Sequence, residues 1–144
     1  MRAMRHEGGC HCGAIRISFE TAKPLAPRAC QCSFCRRHGA RSVSDPDGEA
    51  VLAWSEPPIL YRFASRAADY VICRRCGVYV GAMTEIEGRP LVTLNLNCFD
   101  DPHGGLAAEP VVYDGESADF KAERRKQRWT PLRLNIPSPR WGEG

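Results

Sequence analysis

Between Ala14 and Glu20 the chain alternates, with Ile15, Ile17 and Phe19 on one side and Arg16, Ser18 and Glu20 on the other. A period of two is that of a strand with one buried face. ILYRFA repeats the pattern, so Ile59, Tyr61 and Phe63 are expected inward. EAVLAW, DYVIC, VYVGAM, LVTLNL and PVVYD are short, rich in β-formers and separated by Gly, Pro or acidic turns. A longer helical spacing appears only at 116–129, from Glu116 or Ser117 to Trp129, and its apolar face is thin. A brief helical turn is expected at CRRHG, closed by Gly39. DPDGE at 45–49 and SEPP at 55–58 read as turns or loops, and no internal repeat is visible. The pattern predicts a mainly-β domain of short strands with little helix, near the C-terminus.

Composition narrows this picture. A chain of 144 residues is one domain by length and can bury a core without disulfide staples. No apolar run approaches the roughly 20 residues of a membrane helix. The start, MRAMRHEGGC, has charge but no apolar stretch, so no secretory signal is expected and the reducing cytoplasm is the expected compartment. Seven basic residues between Lys121 and Arg140 face only Glu123 and Glu143, so the net charge of +3 is concentrated at the chain's end. The body is therefore not a nucleic-acid surface by charge, and no nucleic-acid or membrane partner is expected. The expected organisation is a domain over 1–120 and a basic, Pro- and Gly-containing extension over 121–144. IPSPRWGEG, with Trp141, reads as an extended, weakly held tail.

Cysteine changes the picture most. Seven of the eight cysteines fall in CHC, CQCSFC and CRRC. In a reducing compartment such spacing points to metal, where disulfides or inert core thiols are the alternatives. Cys10 and Cys12, two apart, share a side if they lie on a strand. Cys73 and Cys76 form a C-x-x-C knuckle followed by Gly77. Each pair is half a tetrahedral site, and joined they make a closed structural Cys₄ zinc tying the N-terminal strand to the strands around 70–83. Cys30, Cys32 and Cys35 can reach one ion without outside help, with Cys30 and Cys32 on one side of a strand and Cys35 returning after a turn. Three protein ligands and an open fourth position mark a catalytic zinc. Cys98, His38 and His103 are the candidates to close it, with Cys98 first as the remaining thiol. Spacing also admits other pairings, such as Cys30 and Cys32 with the Cys73/Cys76 knuckle.

GGCHCGAIRISF, CQCSFCRRHGA, CRRCGVYVG and NLNCFDDP occur in this order. Together they resemble the glutathione-dependent formaldehyde-activating enzyme family, whose relatives include the centromere protein V group, over roughly residues 5–115. The resemblance implies an Mss4-like fold of small coiled antiparallel sheets and two zinc ions. The structural ion would fall on Cys10, Cys12, Cys73 and Cys76, the catalytic ion on Cys30, Cys32 and Cys35. It also implies carbon–sulfur lyase chemistry, joining the aldehyde formaldehyde to the thiol of glutathione to give S-hydroxymethylglutathione. Gln31 departs from the histidine of many relatives, and the basic end lies outside the shared pattern.

The chemistry is coherent with the residues. Zinc held by three thiolates deprotonates a thiol entering the fourth position and keeps its sulfur nucleophilic. Arg36 and Arg37 could grip a carboxylate of an anionic thiol such as glutathione, or be exposed arginines on a turn. His38 could shuttle a proton or be a surface residue. The alternative function is a zinc-stabilised binding module without catalysis. An open second site favours the enzyme; a site closed by Cys98 or a histidine favours the module.

Overall fold

The computed structural model describes residues 3–136. In chain order the elements are β1 (Met4–Gly9), β2 (Ile15–Thr21), β3 (Arg28–Cys30), α1 (Ser33–His38), β4 (Ser42–Val43), β5 (Glu49–Trp54), β6 (Ile59–Tyr61), β7 (Asp69–Ile72), β8 (Tyr79–Ile86), β9 (Arg89–Asn95), a 3₁₀ turn at Leu96–Cys98, β10 (Glu109–Val111), α2 (Ala118–Arg128) and β11 (Thr130–Asn135). The protein is mainly β, as the alternation predicts. The part of the expected tail from residue 137 on, with Trp141, lies outside the described residues.

The strands form one connected sheet, in the order β1-β2-β5-β11-β9-β4-β3-β10, with β8, β7 and β6 following from the other edge of β9. Pairing is mostly antiparallel. Two contacts are parallel, β11 with β5 (Leu132 opposite Ala50) and β10 with β3 (Val111 opposite Cys30). These two departures from an all-antiparallel arrangement bring later segments back to strands made much earlier.

Ile15, Ile17 and Phe19 of β2 are buried as expected, and with Leu52, Val71, Val80, Val92 and Leu94 they form the main core. ILYRFA behaves differently. β6 is three residues long and pairs only with β7, so Ile59 and Tyr61 are exposed, while Leu60 packs on the core. Tyr61 and Phe63 instead stack against Phe34 of α1, with ring centroids 5.9 and 5.3 Å away.

Residues 121–135, expected as part of an extension, are built into the domain. Ser117 caps α2 by accepting from the Phe120 N–H, and Trp129 ends the helix buried against Ala68, Ala82 and Leu91. β11 then enters the middle of the sheet between β5 and β9. The expected boundary at residue 120 thus falls inside α2.

Close backbone packing near the first cysteine pair makes one position intolerant. A Cβ added to Gly8 would stand 1.9 Å from the Cys98 carbonyl oxygen and 2.6 Å from the Phe99 Cα. Both obstacles are backbone, so β1 would have to shift. Gly8→Ala is expected to cost roughly 2–4 kcal/mol, read as a lower urea midpoint with unchanged m-value. An unaltered midpoint would show that β1 and the 98–99 segment are not in close contact.

Candidate functional site

Two cysteine groups form. Cys10, Cys12, Cys73 and Cys76 have their sulfurs all within 4.8 Å of one another, and so do Cys30, Cys32 and Cys35. Among the described residues no other Cys, His, Asp or Glu joins either group.

The first group comes from two hairpin turns, not from a strand. β1 ends at Gly9, and Cys10 and Cys12 lie in the β1–β2 turn, so strand alternation is not what aligns them. The turn is closed by the Cys10 N–H on Ile15 O at 3.0 Å, with Gly13 left-handed at φ 86°. The β7–β8 turn is built alike: the Cys73 N–H meets Val78 O at 3.0 Å, and Gly77 sits at φ 79°. The left-handed conformation is one glycine adopts without a Cβ penalty. Backbone N–H groups point at the sulfurs, Ile15 at Cys10 (3.2 Å) and Arg75 at Cys73 (3.4 Å).

The donor set fits a metal. Cys10 and Cys12 sulfurs are 3.7 Å apart, and those of Cys12 and Cys73 are 3.6 Å apart. A tetrahedral zinc with Zn–S bonds of about 2.3 Å sets its sulfurs about 3.8 Å apart. The thiols also share protons unequally. Burial opposes ionisation of Cys76, but N–H groups of Cys12 and Val78 and the neighbouring thiols bring it down to about 6. The Ala14 N–H favours the Cys12 thiolate, but desolvation and the bonds to Cys73, Cys10 and Cys76 push Cys12 up to about 11.

The second group is assembled at a strand end and a short helix. Cys30 ends β3, Cys32 is the N-cap of α1, and Cys35 lies buried inside it. Cys30 and Cys32 are therefore not two residues of one strand, contrary to expectation; the chain turns between them. The Cys32 sulfur accepts the Cys35 N–H at 3.3 Å, and Gly39 closes the helix at φ 58°. That left-handed cap is the turn predicted at CRRHG. A hydrogen bond from Cys35 brings the Cys30 thiol down to about 6 against its burial, while that bond and burial push Cys35 well up.

Aromatic rings fix α1. Phe34 meets Tyr70 and Tyr79 edge-on, at centroid distances of 4.8 and 4.9 Å, and stacks on Tyr61 at the end of β6 and on Phe63 just after it. This clamp, which holds Cys35 in place, is missing from the sequence reading. Its signal was the aromatic pair Tyr61 and Phe63, two apart.

Cys30, Cys32 and Cys35 open into a cavity of about 150 Å³. Phe63, Tyr70, Tyr79 and Trp129 contribute apolar wall, and Arg28, Lys121, Arg124 and Arg125 contribute positive charge. Three of those four cations belong to α2, in the segment whose sequence reads as a basic extension.

The other sequence candidates lie elsewhere. Arg36 and Arg37 are exposed, and they donate to the Gln31 and Ser33 carbonyls of their own turn. Neither lines the cavity. His38 is exposed and packs on Phe34 at 4.4 Å. His103 packs beside His6 and Phe99. Cys98 is buried, donates to Tyr79 O at 3.3 Å, and is pushed up to about 12 by burial and then by the charges of Cys10 and Cys76. It therefore lies toward the four-cysteine group and does not close the triad.

Fold and site define a mainly-β domain with one closed and one three-sided cysteine cluster, both suited to metal. A model of the glutathione-dependent formaldehyde-activating enzyme family matches residues 5–114, and the chain belongs to that family. A Rhodobacter sphaeroides protein of known crystal structure is 30% identical, with a match covering 72% of this chain and 97% of that chain at a TM-score of 0.56. α2 and β11 lie beyond the residues matched to the family.

Proposed function

We propose that the protein is a zinc-dependent carbon–sulfur lyase that forms or cleaves the S-hydroxymethyl adduct of a small thiol such as glutathione with formaldehyde. The observation that carries this reading is the triad of Cys30, Cys32 and Cys35 opening into a cavity, with no fourth ligand among the described residues. Cys10, Cys12, Cys73 and Cys76 would hold a structural zinc, and the triad a second one. Zinc on the triad would supply the charge that keeps an incoming thiol ionised at neutral pH.

The chain's own residues do the rest. The Phe63, Tyr79 and Trp129 walls exclude water and hold thiol and aldehyde side by side, which removes much of the entropic barrier. Burial pushes the Tyr70 hydroxyl up to about 12, so at neutral pH it is a donor and not a base. It lines the same cavity, where it would donate to the aldehyde oxygen as charge grows there. In the forward direction a sulfur–carbon bond forms, the carbonyl π pair moves to oxygen, and oxygen takes up one proton. In reverse that proton leaves, the carbonyl reforms and the sulfur–carbon bond breaks. All eight cysteines are free, which suits a reducing, cytoplasmic setting. Among the described residues no helix is long and apolar enough to cross a membrane.

The test uses protein loaded with cobalt, whose visible spectrum reports its sulfur ligands. Two ions per chain are expected, and glutathione should change the spectrum of one. Two bound ions with a spectrum indifferent to glutathione would sink the enzyme reading in favour of a metal-stabilised binding module.

A further inference from the structure

Arg125 is the odd residue of the cavity. It is 6% exposed, and its Nε has no hydrogen-bond partner. Its guanidinium carbon lies 4.8 Å from the Trp129 ring, and among the described residues Glu116 and Cys30 act on it only through their charges, without an ion-pair contact. Its neighbour Arg124 is different, since it grips Glu116 through two bonds of 2.9 and 3.0 Å and covers the Tyr113 ring at 3.5 Å. Arg28, also in the wall, is bonded to the Ser44 hydroxyl. One acid, Asp114, lines the cavity with these cations.

A buried guanidinium without a paired anion is disfavoured, because its Nε loses water and the Trp129 ring replaces only part of what is lost. The planar fork of arginine matches a carboxylate through two parallel bonds. The space inside this open cavity, about 150 Å³, is on the scale of one that takes benzene, so it admits a group of only a few heavy atoms beside the triad.

We propose that Arg125 is the receptor for a carboxylate of the thiol substrate, so that the site selects thiols carrying a carboxylate a few atoms from sulfur. The selecting residue sits on α2, beyond the stretch matched to the family, so this specificity is added by the chain's own C-terminal segment. The proposal rests on the thiol-binding reading of the triad. The rival is that Arg125 only offsets the negative triad; it then has no preference between charged and neutral ligands.

The test compares 3-mercaptopropionate with its neutral amide by calorimetry on the metal-loaded protein. The carboxylate is expected to bind at least about tenfold more tightly, and Arg125→Gln should bring the two within about twofold by weakening the acid far more than the amide. Arg125→Lys, which keeps the charge without the fork, should retain part of the preference. Propionate, which has no thiol, should raise the melting temperature of the wild type and quench Trp129, and do neither in Arg125→Gln. If neither thiol binds but propionate still acts through Arg125, the thiol reading of the triad fails and the carboxylate receptor stands. Equal affinities of the wild type for acid and amide overturn the receptor while leaving thiol binding intact; so does a preference that survives in Arg125→Gln. Should Arg125→Gln not fold, the wild-type comparison of acid with amide decides alone.

Discussion

Cys73→Ser is expected to lose one of two bound metal ions and stability on the order of 5 kcal/mol, a large part of what a domain has. The reason is position as much as coordination. Cys73 is 2% exposed, sits within 3.6 Å of the Cys12 sulfur, and accepts N–H groups from its own turn. Serine is a poor ligand for zinc and leaves those donors around a smaller, harder oxygen. The cluster joins the β1–β2 turn to the β7–β8 turn, so its loss frees two hairpins from each other. The change should appear as a melting temperature lowered by more than about 10 °C and metal content reduced from two to one. A variant that keeps its melting temperature would mean that the core alone holds these turns together.

Cys35→Ser has the opposite profile. It should keep the four-cysteine ion and most of the stability, yet reduce turnover of S-hydroxymethylglutathione by more than about 100-fold, since even residues behind metal ligands cost 10–100-fold. Cys35 is buried in α1 against Tyr79, and serine fits that space with little disturbance of the aromatic clamp. Parallel losses of activity and fold would place Cys35 in the architecture. Full activity with one ion lost would remove the triad from the chemistry altogether.

The contrast between these two clusters was legible in the sequence because spacing of two or three residues brings sulfurs together in almost any local conformation. That robustness also explains why the route could be misread without harm. Cys10 and Cys12 meet in a turn, and Cys30 and Cys32 flank a turn into a helix cap, where strand alternation was expected. The same locality explains what was hidden. TPLRLN has alternating Leu132 and Leu134, but Pro131 argues against a strand, and its partners Ala50 and Leu91 are tens of residues away. Nothing local announces such a pairing. Lys121, Arg124 and Arg125 read as part of a basic extension until α2 folds back to the triad cavity. Tyr61 and Phe63 showed strand spacing, which predicts a common face but not whether that face meets the core or the short helix α1.

The place of β11 has a consequence for the order in which the chain can be made whole. Apart from a single bridge between Gly8 and Phe99, β11 is the strand that joins the β1-β2-β5 part of the sheet to the rest. Ribosomal synthesis delivers it after the other ten described strands. The four cysteines that cross the same seam are all present once Cys76 has emerged, more than fifty residues earlier. On a growing chain the seam can therefore be closed first by sulfur and only afterwards by backbone. During that interval the exposed edges of β5 and β9 wait for the strand that covers them.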